Sequence, residues 1–280
     1  MAQEGNGRGD TVLHADAASL ARGSGPGGDR HVGVLSDHAV QTWQRTLDDQ
    51  CGATRDRHVV RLGGSLRSGT ESRGAVQTRP MGPNLDVTVV DEPTPDAVTR
   101  ALDVALDGAD GGVVAVDDLS FLLDGDGSGE RLEEFLDHAE EVAEEVHVRL
   151  PDEPRAVTTL ARRFDPADER CRRWIAETGV TQLRDEDPTN FGYLRSHWRE
   201  ARRGLEAVEM AYPQSKQIHE AIPDPETTPR TLGAALQAFV EMGALGVWGD
   251  TVAANRYDMR GYDPEMVAAV GRAVEEIHAD

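Results

Sequence analysis

Two adjacent carboxylates close an apolar run: Gly112-Val113-Val114-Ala115-Val116 leads into Asp117 and Asp118, then Leu119-Ser120. An aspartate at the carboxyl end of such a strand has the form of a Walker B segment, where it helps to hold Mg²⁺ on nucleotide phosphates. That chemistry requires a partner, a GxxxxGK[ST] loop after the first strand. Its glycines let backbone N–H groups cradle phosphate, and its lysine reaches the outer phosphates. The stretch read as following the first strand, Ser36-Asp37-His38-Ala39-Val40, has no glycine and no lysine and adds a negative charge. The one lysine of the chain, Lys216, lies far away in sequence. Asp117 and Asp118 are therefore read as a degenerate site. No ATP hydrolysis, cofactor or metal is expected, and the chain is not expected to be an enzyme. Acids at a strand end that leads into a helix also serve simply as turn formers and caps.

Other constellations are weaker. Asp124, Asp126, Ser128 and Gly129 match the start of a calcium loop, but position 12, which should be a bidentate glutamate, is Phe135. The nine histidines form no HExxH, no GxSxG is present, and Cys51 and Cys171 are too few for a disulfide framework or a four-cysteine zinc site. Arg61, Arg67, Arg73 and Arg79 make a basic island with the single acid Glu71, read as facing acidic surface of the same chain.

The elements that must position these residues follow from periodicity. Within 280 residues the net charge is −22, with 28 arginines against one lysine. At molar salt the Debye length is about 3 Å, so clustered carboxylates repel weakly. The acidity is thus read as adaptation to high salt rather than as a statement about partners. With no long apolar run and no apolar leader, the chain is expected to be soluble and cytoplasmic, without a membrane span. Residues 1–29 hold seven glycines and read as a disordered tail, with at most a transient turn at Ala15–Ala21.

From His31 strands and helices alternate. Strands are expected at His31–Leu35, His58–Leu62, Leu85–Val90, Val113–Val116 and Val146–Leu150, with Val180–Leu183 as an edge strand. A Gly/Arg/Ser-rich loop spans Gly63 to Pro83. Helices are expected at Ala39–Gln50, Asp96–Leu106, Glu130–Glu145 and Arg155–Arg163. Such alternation predicts a doubly wound, mostly parallel α/β sheet over residues 30–185. Asp185-Glu186-Asp187-Pro188 reads as a linker.

Beyond it the alternation stops. Tyr193–Met210, Ser215–Ile222 and Thr228–Met242 read as helices, and Val247–Trp248 with Asn255–Met259 as a hairpin. Asp263–His278 is a closing helix. Helix, short helix, helix, hairpin is the order of a small α+β winged helix-turn-helix domain, placed at 190–280. Arg230, Thr231, Ala234 and Gln237 would face outward from the recognition helix, with Arg230 and Gln237 reading base edges. Arg195, Arg199 and Arg256 would serve phosphate, with Arg202 and Lys216 also among the DNA-binding residues. Residues 190–260 carry eight basic and nine acidic side chains, net −1, while the other 209 residues carry −21. Val267, Val270, Val274 and Ile277 form a stripe expected to dimerise the chain through 263–278.

The pieces Val59-Val60-Arg61-Leu62-Gly63 with Arg67-Ser68, Val87-Thr88-Val89, Val116-Asp117-Asp118-Leu119-Ser120-Phe121-Leu122-Leu123, His147-Val148-Arg149-Leu150-Pro151 and Val157-Thr158-Thr159-Leu160 with Phe164-Asp165 occur in that order. In this respect residues 31–185 resemble a haloarchaeal group of degenerate RecA/KaiC-like domains that lack a phosphate loop. The resemblance implies a RecA-like core and carries no catalytic residue onto this chain. The expected function is a non-catalytic transcriptional regulator that binds DNA through the winged helix, with the RecA-like domain as sensor or scaffold. The alternative is a protein–protein adaptor that does not touch DNA.

Overall fold

The computed structural model describes residues 10–24, 28–36, 39–51, 56–63, 76–109, 111–123, 127–248 and 256–277. Asp37, His38, Arg67, Arg73, Asp124 and Asp126 lie outside the described residues. The chain divides into two compact units, Met1–Pro151 and Asp152–Asp280. The boundary thus falls well before the Asp185–Pro188 segment that composition marked as a linker.

The first unit opens with β1 (Asp10–His14), α1 (Ala17–Gly23), β2 (Arg30–Ser36), α2 (Val40–Cys51), β3 (Asp56–Leu62), β4 (Val76–Gly82), β5 (Leu85–Val90) and α3 (Pro95–Leu106). It continues with β6 (Gly112–Val116), α4 (Ser120–Leu123), α5 (Ser128–Val142) and β7 (Glu145–Arg149). The strand order is β4-β5-β3-β2-β6-β7-β1. Every pairing in that run is parallel except β4 against β5. This is an α/β fold with a mostly parallel sheet flanked by helices. All five residues of β6 are buried, as a strand covered on both faces requires.

Two expectations fail here. The stretch read as a disordered tail contains β1 and α1, and β1 pairs with β7 in register Asp10↔Glu145 to His14↔Arg149. Leu13, Leu20 and Ala21 are buried, the last two in a cluster with Trp43 and Leu47 of α2. Asp16 caps α1 by accepting from Ser19 N at 2.7 Å. The glycines lie before β1 and after the helix core, so composition averaged over the segment hid an apolar element between them. The loop read at Gly63–Pro83 likewise contains β4, an exposed antiparallel edge whose polar residues and Pro80 give no buried pattern.

The second unit runs α6 (Pro154–Ala161), a two-residue strand β8 (Asp165–Pro166), α7 (Glu169–Glu186), α8 (Pro188–Ala207), α9 (Ser215–Glu220), α10 (Pro229–Glu241), β9 (Gly246–Trp248), β10 (Arg256–Asp258), a 3-10 turn at Met259–Gly261 and α11 (Pro264–Glu276). Val180–Leu183 is not an edge strand. It lies inside α7, where Cys171, Ile175, Ala176, Gly179, Val180 and Leu183 form one buried helical face. The supposed linker is a tight corner: Asp187 ends α7 through its N–H to Leu183 O and caps α8 by accepting from Asn190 N at 3.0 Å.

The caps of the later helices match their sequence signals. Thr228 caps α10 with Pro229 in its first turn, and Asp263 caps α11 with Pro264. Gly243 follows α10 with φ +73°. A Cβ there would sit 1.9 Å from Ala161 O, so glycine serves both the stop and the close approach. The dimer stripe is overturned as a free surface. Val267, Val270 and Val274 are fully buried where α11 packs on α7 and α8 of the same chain, and only Ile277 of the stripe is half-buried.

Candidate functional site

Open parallel sheets bind ligands at the carboxyl ends of the strands where the order reverses direction. Here the chain moves outward from β2 through β3 to β5, then returns by α3 to β6 on the other side of β2. The reversal lies between Ser36, ending β2, and Asp117, following β6. Asp117 is the Walker B-like residue, and it is already occupied. Arg149, ending β7, donates from Nε to Asp117 Oδ1 at 2.7 Å and to Asp117 O at 2.8 Å. Ser36 Oγ donates to Asp117 Oδ2 at 3.1 Å. Both carboxylate oxygens are thus engaged within the protein, and a guanidinium stands where a cation would be held. Asp118 turns away and accepts from Ser120 N at 2.8 Å, the turn-forming role open to such an acid.

The first strand is β1, not the strand at His31, so the segment that would carry a phosphate loop is Ala15-Asp16-Ala17-Ala18-Ser19-Leu20 rather than Ser36–Val40. It too contains no glycine and no lysine.

Sequence reading missed a second polar chain, because it placed His14 in a tail. Ser19 Oγ lies 3.1 Å from His14 Nδ1, His14 Nε2 lies 3.0 Å from His147 Nδ1, and His147 Nε2 lies 3.4 Å from Glu145 Oε2. One set of neutral tautomers satisfies all three, each group donating toward Glu145. His14 and His147 are buried. Burial lowers the His147 pKa from its ordinary 6.5, outweighing the Glu145 carboxylate, and burial lowers that of His58 on β3 as well. The unfolded chain therefore binds protons at these sites before the folded one does. Their contribution is complete above about 6.5 and is lost as pH falls below it. Denaturant midpoints measured in constant multimolar KCl are expected to drop between about pH 8 and about pH 5, and His147→Gln is expected to shrink that drop. An unchanged slope in the variant would contradict the assignment.

In the second unit α10 lies across α8 and α9. Leu232, Ala235, Leu236 and Phe239 face inward, and Ile218 of α9 is buried. The turn between α9 and α10 is held by the buried Glu200 of α8, whose Oε1 accepts from Glu226 N at 2.8 Å and Thr227 N at 3.3 Å. His219 Nε2 donates to Thr227 O at 2.7 Å. A third segment joins the hairpin, with Gln214 bridging Arg256 and Tyr257 N donating to Pro213 O at 2.9 Å.

The predicted contact residues divide. Arg230 is exposed in the first turn of α10; Thr231 and Ala234 are half-buried beside it. Gln237 is not presented as the sequence implied. It is half-buried and its side chain bonds Glu241, whose carboxyl is pushed up by burial while this bond lowers it. Arg199 pairs with Glu275 of α11, Arg202 with Glu206 at 2.7 Å and Lys216 with Glu220 at 3.7 Å. Such exposed pairs hold their partners by about 0–1 kcal/mol each, so the cations can exchange to another anion. Arg195 is exposed, 5.9 Å from the Phe191 ring centroid, and Arg256 is exposed on β10. Arg199, Arg202 and Arg203 line one groove of about 620 Å³ with Trp198 and three carboxylates, Glu200, Glu206 and Glu226.

No helix among the described residues is long and apolar enough to cross a membrane. Comparison of the chain with protein-family models, with curated proteins and with solved structures finds no match in any of the three.

Proposed function

We infer that the protein is a non-catalytic DNA-binding transcriptional regulator. The Asp152–Asp280 unit acts as a winged helix-turn-helix that reads duplex DNA, and the Met1–Pro151 unit as a degenerate RecA-like sensor or scaffold. The observation that carries the DNA reading is the exposed first turn of α10, bearing Arg230, in a chain of net charge −22. The order helix, bridged segment, short helix, helix, hairpin supports it, since this arrangement sets the N-terminal half of the third element toward a major groove. The Arg149 guanidinium on Asp117 supports a scaffold role without magnesium-dependent chemistry. The resemblance of residues 31–185 to the degenerate RecA/KaiC-like group agrees with it.

Base reading rests on Arg230 alone, because Gln237 is spoken for. A bidentate arginine–guanine contact discriminates by about 1–3 kcal/mol. Arg230→Ala is therefore expected to weaken a selected duplex site by roughly tenfold or more while leaving random DNA nearly unchanged. Gln237→Ala should change little. Arg199→Ala should weaken both DNAs alike and flatten the salt slope by about one unit. Titrations of fluorescent duplexes at several KCl concentrations check this. Equal binding by wild type and Arg230→Ala would favour the adaptor alternative.

A further inference from the structure

Aromatic residues make up only 5% of the chain, yet two meet at the hairpin. The Tyr212 and Trp248 rings lie 4.4 Å apart between centroids, tilted by 42°. The Arg260 guanidinium stacks over both, 5.1 Å from the Tyr212 centroid and 5.7 Å from that of Trp248. Asp258 holds it there through a forked pair, Nε to Oδ1 at 3.1 Å and a terminal nitrogen to Oδ2 at 2.8 Å. Those bonds keep the Asp258 carboxyl below the usual carboxylate range. Arg256 stands directly opposite Trp248 in the strand register. Despite these neighbours Trp248 is 49% exposed, and Val247, next to it in β9, is 39% exposed. None of this is used by the α10 reading.

We propose that this aromatic–arginine platform stacks an unpaired nucleobase of a nucleic acid strand, so that the protein prefers duplex DNA carrying a single-stranded segment over fully paired duplex. The inference rests on the nucleic-acid reading of the same unit and adds a substrate class to it. Three observations select the occupant. The exposed indole offers a flat face, and base–aromatic stacking is tolerant of sequence because every base has such a face. Arg260 is already paired with Asp258, but Arg256 is exposed opposite Trp248 in the register, in a chain of net charge −22, which favours a partner that is anionic as well as planar. Inside a duplex each base face is already covered by its neighbours, and only an unpaired base leaves one open. Stacking also survives concentrated salt, where phosphate contacts weaken steeply. A platform of this kind therefore suits the ionic conditions that the composition implies.

The test compares full-length wild type, Trp248→Ala, Trp248→Phe and Arg230→Ala. Each is titrated in multimolar KCl with a fluorescent duplex and with the same duplex carrying a single-stranded thymidine tail. Wild type is expected to bind the tailed probe about tenfold more tightly, the scale of one stacked base. Trp248→Ala should lose that preference without losing the fully paired probe, and Trp248→Phe should keep most of it. Arg230→Ala should weaken the paired probe while retaining the tail preference. That pattern separates the two ideas: if Arg230→Ala binds like wild type but Trp248→Ala still abolishes the preference, the duplex reading fails and the platform stands. The platform is overturned if wild type shows no preference, or if Trp248→Ala weakens both probes equally. It is also overturned if sedimentation shows that Trp248→Ala only dissolves a self-association of this chain.

Discussion

A chain that begins at Asp29 is expected to lose the cooperative unfolding transition of its first unit. The deletion removes β1, which pairs along its whole length with β7, and α1, which covers the α2 residues Trp43 and Leu47. Leu13 and Leu20 are fully buried, Thr11 Oγ1 donates to Glu140 Oε1 at 2.8 Å, and His14 completes the bond to His147. Truncating one such leucine to alanine costs about 2–5 kcal/mol. A domain's whole stability is about 5–15 kcal/mol, so losing both leucines together with a strand exceeds the margin. Thermal melts in multimolar KCl check this. Leu13→Ala and Leu20→Ala should each lower the midpoint markedly, and the truncated chain should show no native tertiary signal from the first unit. A truncated chain that melts as the full one does would show that β1 is dispensable.

The second large effect is expected at Arg149. The Asp117 side chain is 3% exposed, and its main compensation is the Arg149 guanidinium. Removing one partner of such a pair leaves a buried charge without its counterion, which costs about 3–5 kcal/mol. Arg149→Met should fall near the lower end, about 3 kcal/mol, because Ser36 still donates to Asp117. Asp117→Asn with Arg149→Met should recover much of the loss, since the amide has no charge to compensate. A double-mutant cycle by chemical denaturation measures the coupling. Additive effects, or an Arg149→Met protein as stable as wild type, would mean that the guanidinium does not neutralise Asp117.

The sequence was most legible where a local signal and the tertiary environment agree. The uninterrupted apolar run of β6, the Thr228-Pro229 and Asp263-Pro264 caps and the Gly243 stop each predicted an element that formed. Legibility failed where the deciding partner is distant in the chain. β1 is a strand because β7, more than a hundred residues later, pairs with it. The Val180–Leu183 segment reads as a strand in isolation and is helical because Cys171 and Ile175 continue its buried face. The α11 stripe looked available until α7 and α8 were seen to cover it. At the candidate sites, residue types were visible but occupancy was not. Nothing local says that Arg149 reaches Asp117, or that Glu241 takes Gln237. The Tyr212–Trp248–Arg260 cluster had one usable signal, two aromatics flanking a short hairpin in an aromatic-poor chain, but their meeting depends on how residues 211–214 pair with β10.

The central claim, that the first turn of α10 reads DNA, is tested most directly in the cell that makes the protein. Chromatin immunoprecipitation of tagged wild type and tagged Arg230→Ala, at matched protein levels, gives the answer at native salt. Discrete enriched sites for wild type that vanish or fade in Arg230→Ala are the predicted result. A flat wild-type profile, or peaks that the substitution leaves unchanged, would contradict it.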